Sequence, residues 1–268
     1  MGNYKSLANK IAEGRGQGHG PSYIPWHKVR EVPSRGFSQR VLGRHTGRVH
    51  HLLSLNEYRH FLMFDHAENT SDIREQFPLL PVEETIEIAR MIGVRPPRDP
   101  KKREPWVLTT DQVIDVRTAA GVVTYPVTIK TTEDLRRPRA LELLEIERRY
   151  WSRRNPHWGI VTEKEIPVVV AKNLDFIRSA YDIRWTGLTA EQLAIMEATL
   201  YERLWSTHGP VGEVAADVTI DLKLPAGRGL LMICHLIAVK VWRVDLSVLI
   251  DPGAPLKPFR TGRSVWNA

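Results

Sequence analysis

From Ser54 the apolar positions recur at helical spacing: Leu55, Tyr58, Phe61 and Leu62 fall on one side. Ser54-Leu55-Asn56-Glu57 has the spacing of a capping box, so a helix is predicted over 54–66. Asp72 to Phe77, ended by Pro78, predicts a strand, and Val82 to Ile92 a second helix. Val94 to Pro105 holds four prolines and the basic cluster Arg95, Arg98, Lys101, Lys102 and Arg103, the composition of a surface loop. Thr109 to Arg117 and Val122 to Thr131 are β-branched runs around Thr118-Ala119-Ala120-Gly121, which predicts an antiparallel hairpin. Arg139 to Arg154 is helical with Leu143, Leu144, Ile146, Tyr150 and Trp151 inward, and Trp158 to Thr162 reads as a further strand. These elements make an α/β domain over residues 1–168.

The pattern then changes. A second capping box, Thr189-Ala190-Glu191-Gln192, opens a helix over 190–205. Val211 to Leu222 and Pro225 to Val239 read as helices, and Val241 to Ile250 as a strand pair. Three helices followed by a β element are compatible with a smaller, winged-helix-like α+β domain over 169–268 that binds DNA or a partner.

The length of 268 residues and 42% hydrophobic content suit two domains with a real core. The single cysteine, Cys234, lies in an apolar run and reads as a buried thiol in a reducing, cytoplasmic setting. No apolar stretch approaches the roughly 20 residues that span a bilayer, and Met1 to Arg15 is polar, so no membrane is expected. Charge is unevenly placed: residues 1–60 hold ten lysines and arginines against three glutamates, which accounts for the whole formal charge of +7. Among them Arg15, Lys28, Arg44 and Arg48, interleaved with Tyr23, Trp26 and Phe37, are candidate DNA contacts, because cations displace counterions from phosphate while rings stack on bases. An ordinary solvated basic surface fits the charge equally well. The alternating glycines of residues 14–20 contain neither a dinucleotide fingerprint nor a P-loop; they read as a flexible basic segment or a plain linker.

The hairpin brings chemistry together. In a register centred between Ala119 and Ala120, Asp111 faces Thr128; one residue later it faces Lys130. Either way Asp111, Thr128 and Lys130 lie within roughly 5–8 Å on one face. A carboxylate that holds Mg²⁺, with a lysine that positions water or offsets charge on phosphorus, is what phosphodiester hydrolysis needs. Glu57, in a helix before the hairpin, is the natural second carboxylate. Spacing alone does not separate this from a surface salt bridge between Asp111 and Lys130, nor Glu57 from a residue that only closes its capping box. Asp115 is about 13 Å along the strand from Asp111 and reads as structural. Glu147 sits on the inward helical stripe, where a carboxylate either supports the site or pairs with an arginine. His50 and His51 lack further ligands at zinc spacing and read as structural or phosphate-contacting. No acyl-transfer motif is present.

Five segments, Glu13-Gly-Arg-Gly-Gln-Gly-His-Gly20, Tyr23-Ile-Pro-Trp26, Thr46-Gly-Arg-Val-His-His-Leu-Leu-Ser54, Asp72-Ile-Arg-Glu-Gln-Phe-Pro-Leu-Leu80 and Glu145-Ile-Glu-Arg-Arg-Tyr-Trp151, resemble the TnsA family, the endonuclease subunit of heteromeric cut-and-paste transposases. The resemblance covers about residues 13–165 and is loose beyond. It implies a restriction-endonuclease-like mixed sheet flanked by helices, followed by a winged-helix domain. It further implies Mg²⁺-dependent cleavage, with Mn²⁺ able to substitute, of the 5′ strands at double-stranded transposon ends. Its implied partners are a TnsB-like transposase and a TnsC-like AAA+ ATPase in a bacterial, nucleoid-associated assembly. The family's helix glutamate falls on Glu57, its metal-binding aspartate on Asp111 and its lysine on Lys130. Two residues before that lysine, where the superfamily usually has Asp or Glu and TnsA-like enzymes can carry Gln, stands Thr128; its hydroxyl and the Ile129 carbonyl are the remaining candidate ligands. A non-catalytic DNA-binding or assembly subunit, and a stand-alone restriction-type nuclease, are the alternatives.

Overall fold

The computed structural model describes residues 6–31, 37–99, 104–154 and 156–264. Lys5, Arg35 and Lys101, Lys102 and Arg103 of the basic clusters lie outside these. The chain divides into two compact units, Met1–Ile166 and Pro167–Ala268. The boundary falls just before a helix that the sequence pattern did not predict.

In the first unit a short helix α1 (Leu7–Ala12) is followed by an antiparallel ribbon, β1 (Gln39–Leu42) and β2 (Val49–Leu52). Helix α2 (Leu55–His66) follows, then β3 (Thr70–Pro78), α3 (Val82–Met91), the hairpin β4 (Thr109–Thr118) and β5 (Gly121–Ile129), α4 (Pro138–Ser152) and β6 (Gly159–Val161). The sheet order is β3-β4-β5-β6, antiparallel except for the β5–β6 pair. Leu79, Ile88, Val113, Ile146, Tyr150 and Trp151 form a core where α3 and α4 cover one face. On the other side Gln112 of β4 donates to the Glu57 carbonyl of α2 and meets His60 at 2.8 Å. The hairpin adopts the first of the two registers, with Thr118 opposite Gly121 and Gln112 opposite Val127.

The glycine segment is not an extended linker. Gly14, Gly16, Gly18 and Gly20 all have φ between 51° and 85°, a left-handed backbone at every second residue that explains the strict alternation. At Gly16 a side chain is also excluded by contact: a Cβ would lie 2.1 Å from Pro78 Cγ at the end of β3. The Gly16 N–H donates to the Ile24 carbonyl, so the segment folds back on itself against the sheet.

The second unit contains α5 (Val168–Arg178), α6 (Ala190–Ser206), α7 (Val211–Asp221), α8 (Arg228–Ala238) and two short strands, β7 (Trp242–Arg243) and β8 (Phe259–Arg260). The strand pair expected within Val241 to Ile250 does not form; β7 pairs instead with β8. Buried Asn173 of α5 is the reason. Its amide donates to the carbonyls of Leu246 and Val248 and its oxygen accepts from the Ile250 N–H, so one side chain replaces a partner strand. Among the described residues no helix is long and apolar enough to cross a membrane.

Candidate active site

The hairpin register puts Asp111 at the point where backbone pairing of β4 with β5 stops, one residue before Gln112. The Asp111 carboxylate takes over from a backbone carbonyl: its Oδ2 accepts from the Ile129 N–H at 2.7 Å and from Lys130 Nζ at 2.9 Å. Lys130 also donates to the Ile129 carbonyl at 3.2 Å. Burial alone would lower the Lys130 pKa, but the charge and hydrogen bond of Asp111 outweigh it and leave it above the ordinary value, so the amine is charged at neutral pH.

Glu57 is buried in the first turn of α2. The Ser54 hydroxyl accepts from the Glu57 N–H, as the capping box requires, but the carboxylate reaches one residue further back and accepts from the Leu53 N–H at 3.0 Å. Its Oε2 also accepts from Gln76 Nε2 at 3.2 Å. Burial, and then the charge of Asp111, push the Glu57 carboxyl up to about 7. A buried carboxylate raised by a second one beside it makes a pair of hard oxygen donors with more negative than positive charge around them. That donor set fits a divalent cation held by Glu57 and Asp111, with the Ile129 carbonyl beside them.

Thr128 does not belong to that set. Its hydroxyl donates to Glu147 Oε1 and accepts from Trp158 Nε1, so it is turned toward α4 and engaged there. Among the described residues Glu147 pairs with no arginine. Its Oε1 also accepts from the Thr110 hydroxyl, which in turn accepts from Trp151 Nε1. Burial raises its carboxyl to about 7, against the two hydroxyl donors, with Asp111 adding to the rise and Lys130 opposing it. The folded group therefore ionises near pH 7 and the unfolded one near 4.5, so stability present below pH 4.5 is lost as pH rises through 7. Glu147→Gln keeps the acceptor oxygen and removes this titration. Relative to wild type it is expected to gain about 3 kcal/mol between pH 4.5 and 8, measured by urea unfolding without divalent cation. A stability difference that does not move with pH would show that Glu147 does not titrate in this range.

Two candidate DNA contacts are corrected. Arg15 is 1% exposed and pairs with Glu13 and Glu31, while Nη1 also donates to the Trp26 carbonyl at 3.0 Å. Arg48 is buried on Glu75 and the Ile73 carbonyl. Both neutralise acids inside the fold and present nothing to a phosphate. Lys28 and Arg44 are half-buried and keep that candidacy. Burial would raise the Glu75 carboxyl, but His50 and Arg48 hold it well below its ordinary value, which gives His50 the structural role expected of it. Asp115 accepts two bonds from Arg74 and one from Thr124 and is likewise structural. Asp115, Asp72 and His19 are close enough to share a cation, but Arg74 already supplies their counter-charge. A cavity of about 560 Å³ lies beside the Pro96–Pro97 loop, where Arg95, Arg98, Trp106 and Arg139 face it. Arg139 and Leu143 of this lining stand at helical spacing before Glu147.

Gln76 is the residue that the sequence pattern did not single out. It is buried, its φ is 49°, and it lies opposite Asp111 between the pairs Glu75–Gln112 and Phe77–Thr110. A left-handed backbone at a residue with a long side chain costs of the order of 1–3 kcal/mol, and such conformations cluster at functional sites.

A mixed four-stranded sheet between helices, carrying an aspartate–lysine pair on a hairpin and a glutamate on the preceding helix, defines a restriction-endonuclease-like domain. The chain belongs to the TnsA family. Residues 67–163 match the family model described as TnsA-like endonuclease N terminal, and residues 165–246 the one described as TnsA endonuclease C terminal. The second unit, where the likeness in sequence is loose, thus carries its own family match. The chain is 42% identical over 188 residues to an Escherichia coli protein named Transposon Tn7 transposition protein TnsA. The match takes in 70% of this chain and 66% of that protein, a little under two-thirds of the relative's length.

Proposed function

We propose that this protein is a divalent-metal-dependent DNA endonuclease that cuts the 5′, non-transferred strands at transposon ends. The observation that carries the reading is the meeting of Glu57, Asp111 and Lys130 at the open end of the β4–β5 hairpin. Membership of a family whose models are described as endonuclease, and a relative named for Tn7 transposition, support it.

Glu57 and Asp111 would hold Mg²⁺, or Mn²⁺ in its place, with the Ile129 carbonyl. When bound, the ion polarises the scissile phosphate and lowers the pKa of water. The chain's own groups do the rest. Lys130, charged and fixed on Asp111, offsets the negative charge that develops on the phosphate oxygens. Glu147 holds the Thr110 and Thr128 hydroxyls and acts as a support. Lys28 and Arg44, with Arg95, Arg98 and Arg139 around the cavity, would meet the DNA backbone. The second unit would bind DNA or the ATPase partner, and the assembly would work at the nucleoid in the cytoplasm.

The test is strand-specific. With a TnsB-like transposase and a TnsC-like ATPase present, end-containing duplex is expected to be nicked on the 5′ strand only when Mg²⁺ or Mn²⁺ is added. DNA binding without any divalent-dependent cut would favour an assembly subunit, the reading that Thr128's orientation supports. Cutting of ordinary duplex by the isolated protein would instead mark a stand-alone nuclease.

A further inference from the structure

In a regular strand, residues two apart share a face. Between β3 and β4 that rule is broken at one level. Glu75 and its partner Gln112 face β2 and α2, where Glu75 meets Arg48 and His50 and Gln112 meets Glu57 and His60. Phe77 and its partner Thr110 face α4, where Phe77 packs on Trp151 and Thr110 bonds Glu147. Both strands turn over at Gln76 and Asp111, and the left-handed φ of Gln76 is where β3 does so. The Gln76 carbonyl, turned out of the ladder, accepts from the Trp26 N–H at 3.2 Å, and the Tyr23 hydroxyl donates to the neighbouring Glu75 carbonyl at 3.1 Å. The N-terminal segment thus braces the turnover, with Gly16 pressed on Pro78.

We propose that Gln76 is a positioning residue for the metal-binding glutamate: the kinked backbone opposite Asp111 aims its side-chain amide at Glu57 Oε2 and fixes that carboxylate toward the cation site. The inference rests on the metal-dependent reading given above. Gln76 Oε1 accepts from the Thr109 hydroxyl, which sets the amide's orientation, and Nε2 donates to Glu57 Oε2, the oxygen already held by the Leu53 N–H. Two N–H donors on one oxygen fix the plane in which the other can meet a cation. A neutral amide suits this task. An arginine or lysine at the same place would bring a positive charge that competes with the metal, and an acid would repel the carboxylate.

The experiment uses the full-length chain without DNA and follows Mn²⁺ binding by electron paramagnetic resonance titration, alongside thermal unfolding. Gln76→Gly keeps the left-handed backbone at no steric cost and deletes the side chain with its amide; Gln76→Asn tolerates the same backbone, keeps an amide and is one methylene too short. Both are expected to melt within about 3 °C of wild type and to bind Mn²⁺ about tenfold more weakly. Wild-type Mn²⁺ affinity in either variant overturns the proposal. So does a loss of affinity that merely follows the loss of melting temperature across Gly, Asn and Ala variants, since that would make the kink structural alone. Asp111→Asn separates the two levels. If it abolishes Mn²⁺ binding while Gln76→Gly leaves it intact, only the positioning role falls; if wild type itself binds no Mn²⁺, the metal reading falls with it.

Discussion

Asp111→Asn is expected to lower DNA cleavage by about 10²–10³-fold at saturating metal while the protein stays folded. The asparagine has the shape of the aspartate, so the end of the hairpin keeps its packing. What it lacks is charge. Asp111 holds the Lys130 ammonium and the Ile129 N–H, and its negative charge is one of the two causes that raise Glu57 to about 7. Removing it takes away half of the carboxylate pair and leaves Lys130 without its partner. Single-turnover nicking of an end-containing duplex, with melting temperature as the control for folding, reads the effect. A variant that cuts within about tenfold of the wild-type rate would remove Asp111 from the chemistry.

The second large effect is on stability. Glu75 is fully buried and joined to Arg48, to His50 and to the His51 N–H. Glu75→Ala leaves Arg48 inside the fold without its counter-charge and His50 without its hydrogen-bond partner, a change that typically costs about 3–5 kcal/mol. For a chain of this size that corresponds to a fall in melting temperature on the order of 10 °C. Calorimetry of the full-length protein checks it, and a fall of less than about 2 °C would show that the network relaxes by admitting water. Because Glu75 also fixes β2 beside β3, the same variant tests whether the ribbon is held by this one carboxylate.

Much of the first unit was legible because its signals are local. Capping chemistry placed α2, apolar spacing placed α4, and a small-residue turn fixed a hairpin whose register put Asp111 beside Lys130 with no knowledge of the rest. The burial of Arg15 and Arg48 was not legible, because their acids, Glu31 and Glu75, stand 16 and 27 residues away and only the fold brings them in. Alternating glycine suggests flexibility by composition, yet here each glycine is locked in a conformation that few other residues adopt easily. The apolar run at Val241 to Ile250 looks like strands because nothing local announces that Asn173 will satisfy its backbone. Gln76 was invisible for a related reason: no Gly, Asn or Asp marks the left-handed position, so the strand pattern reads straight through it. Thr128 was placed at the right level, but the turnover of the neighbouring strands, and with it the direction of its hydroxyl, has no sequence signature.

That turnover bears on when the site comes into being during synthesis. Glu57 approaches from one side of the sheet and Glu147 from the other, and Asp111 joins them only once both β3 and the hairpin are in place. A nascent chain that ends before α4 lacks the support of Thr110 and Thr128, and one without the N-terminal brace lacks the contact that receives the Gln76 carbonyl. Contacts this far apart in sequence close late in folding. The proposed site is therefore a property of the finished domain, and a truncated product carries its residues without their arrangement.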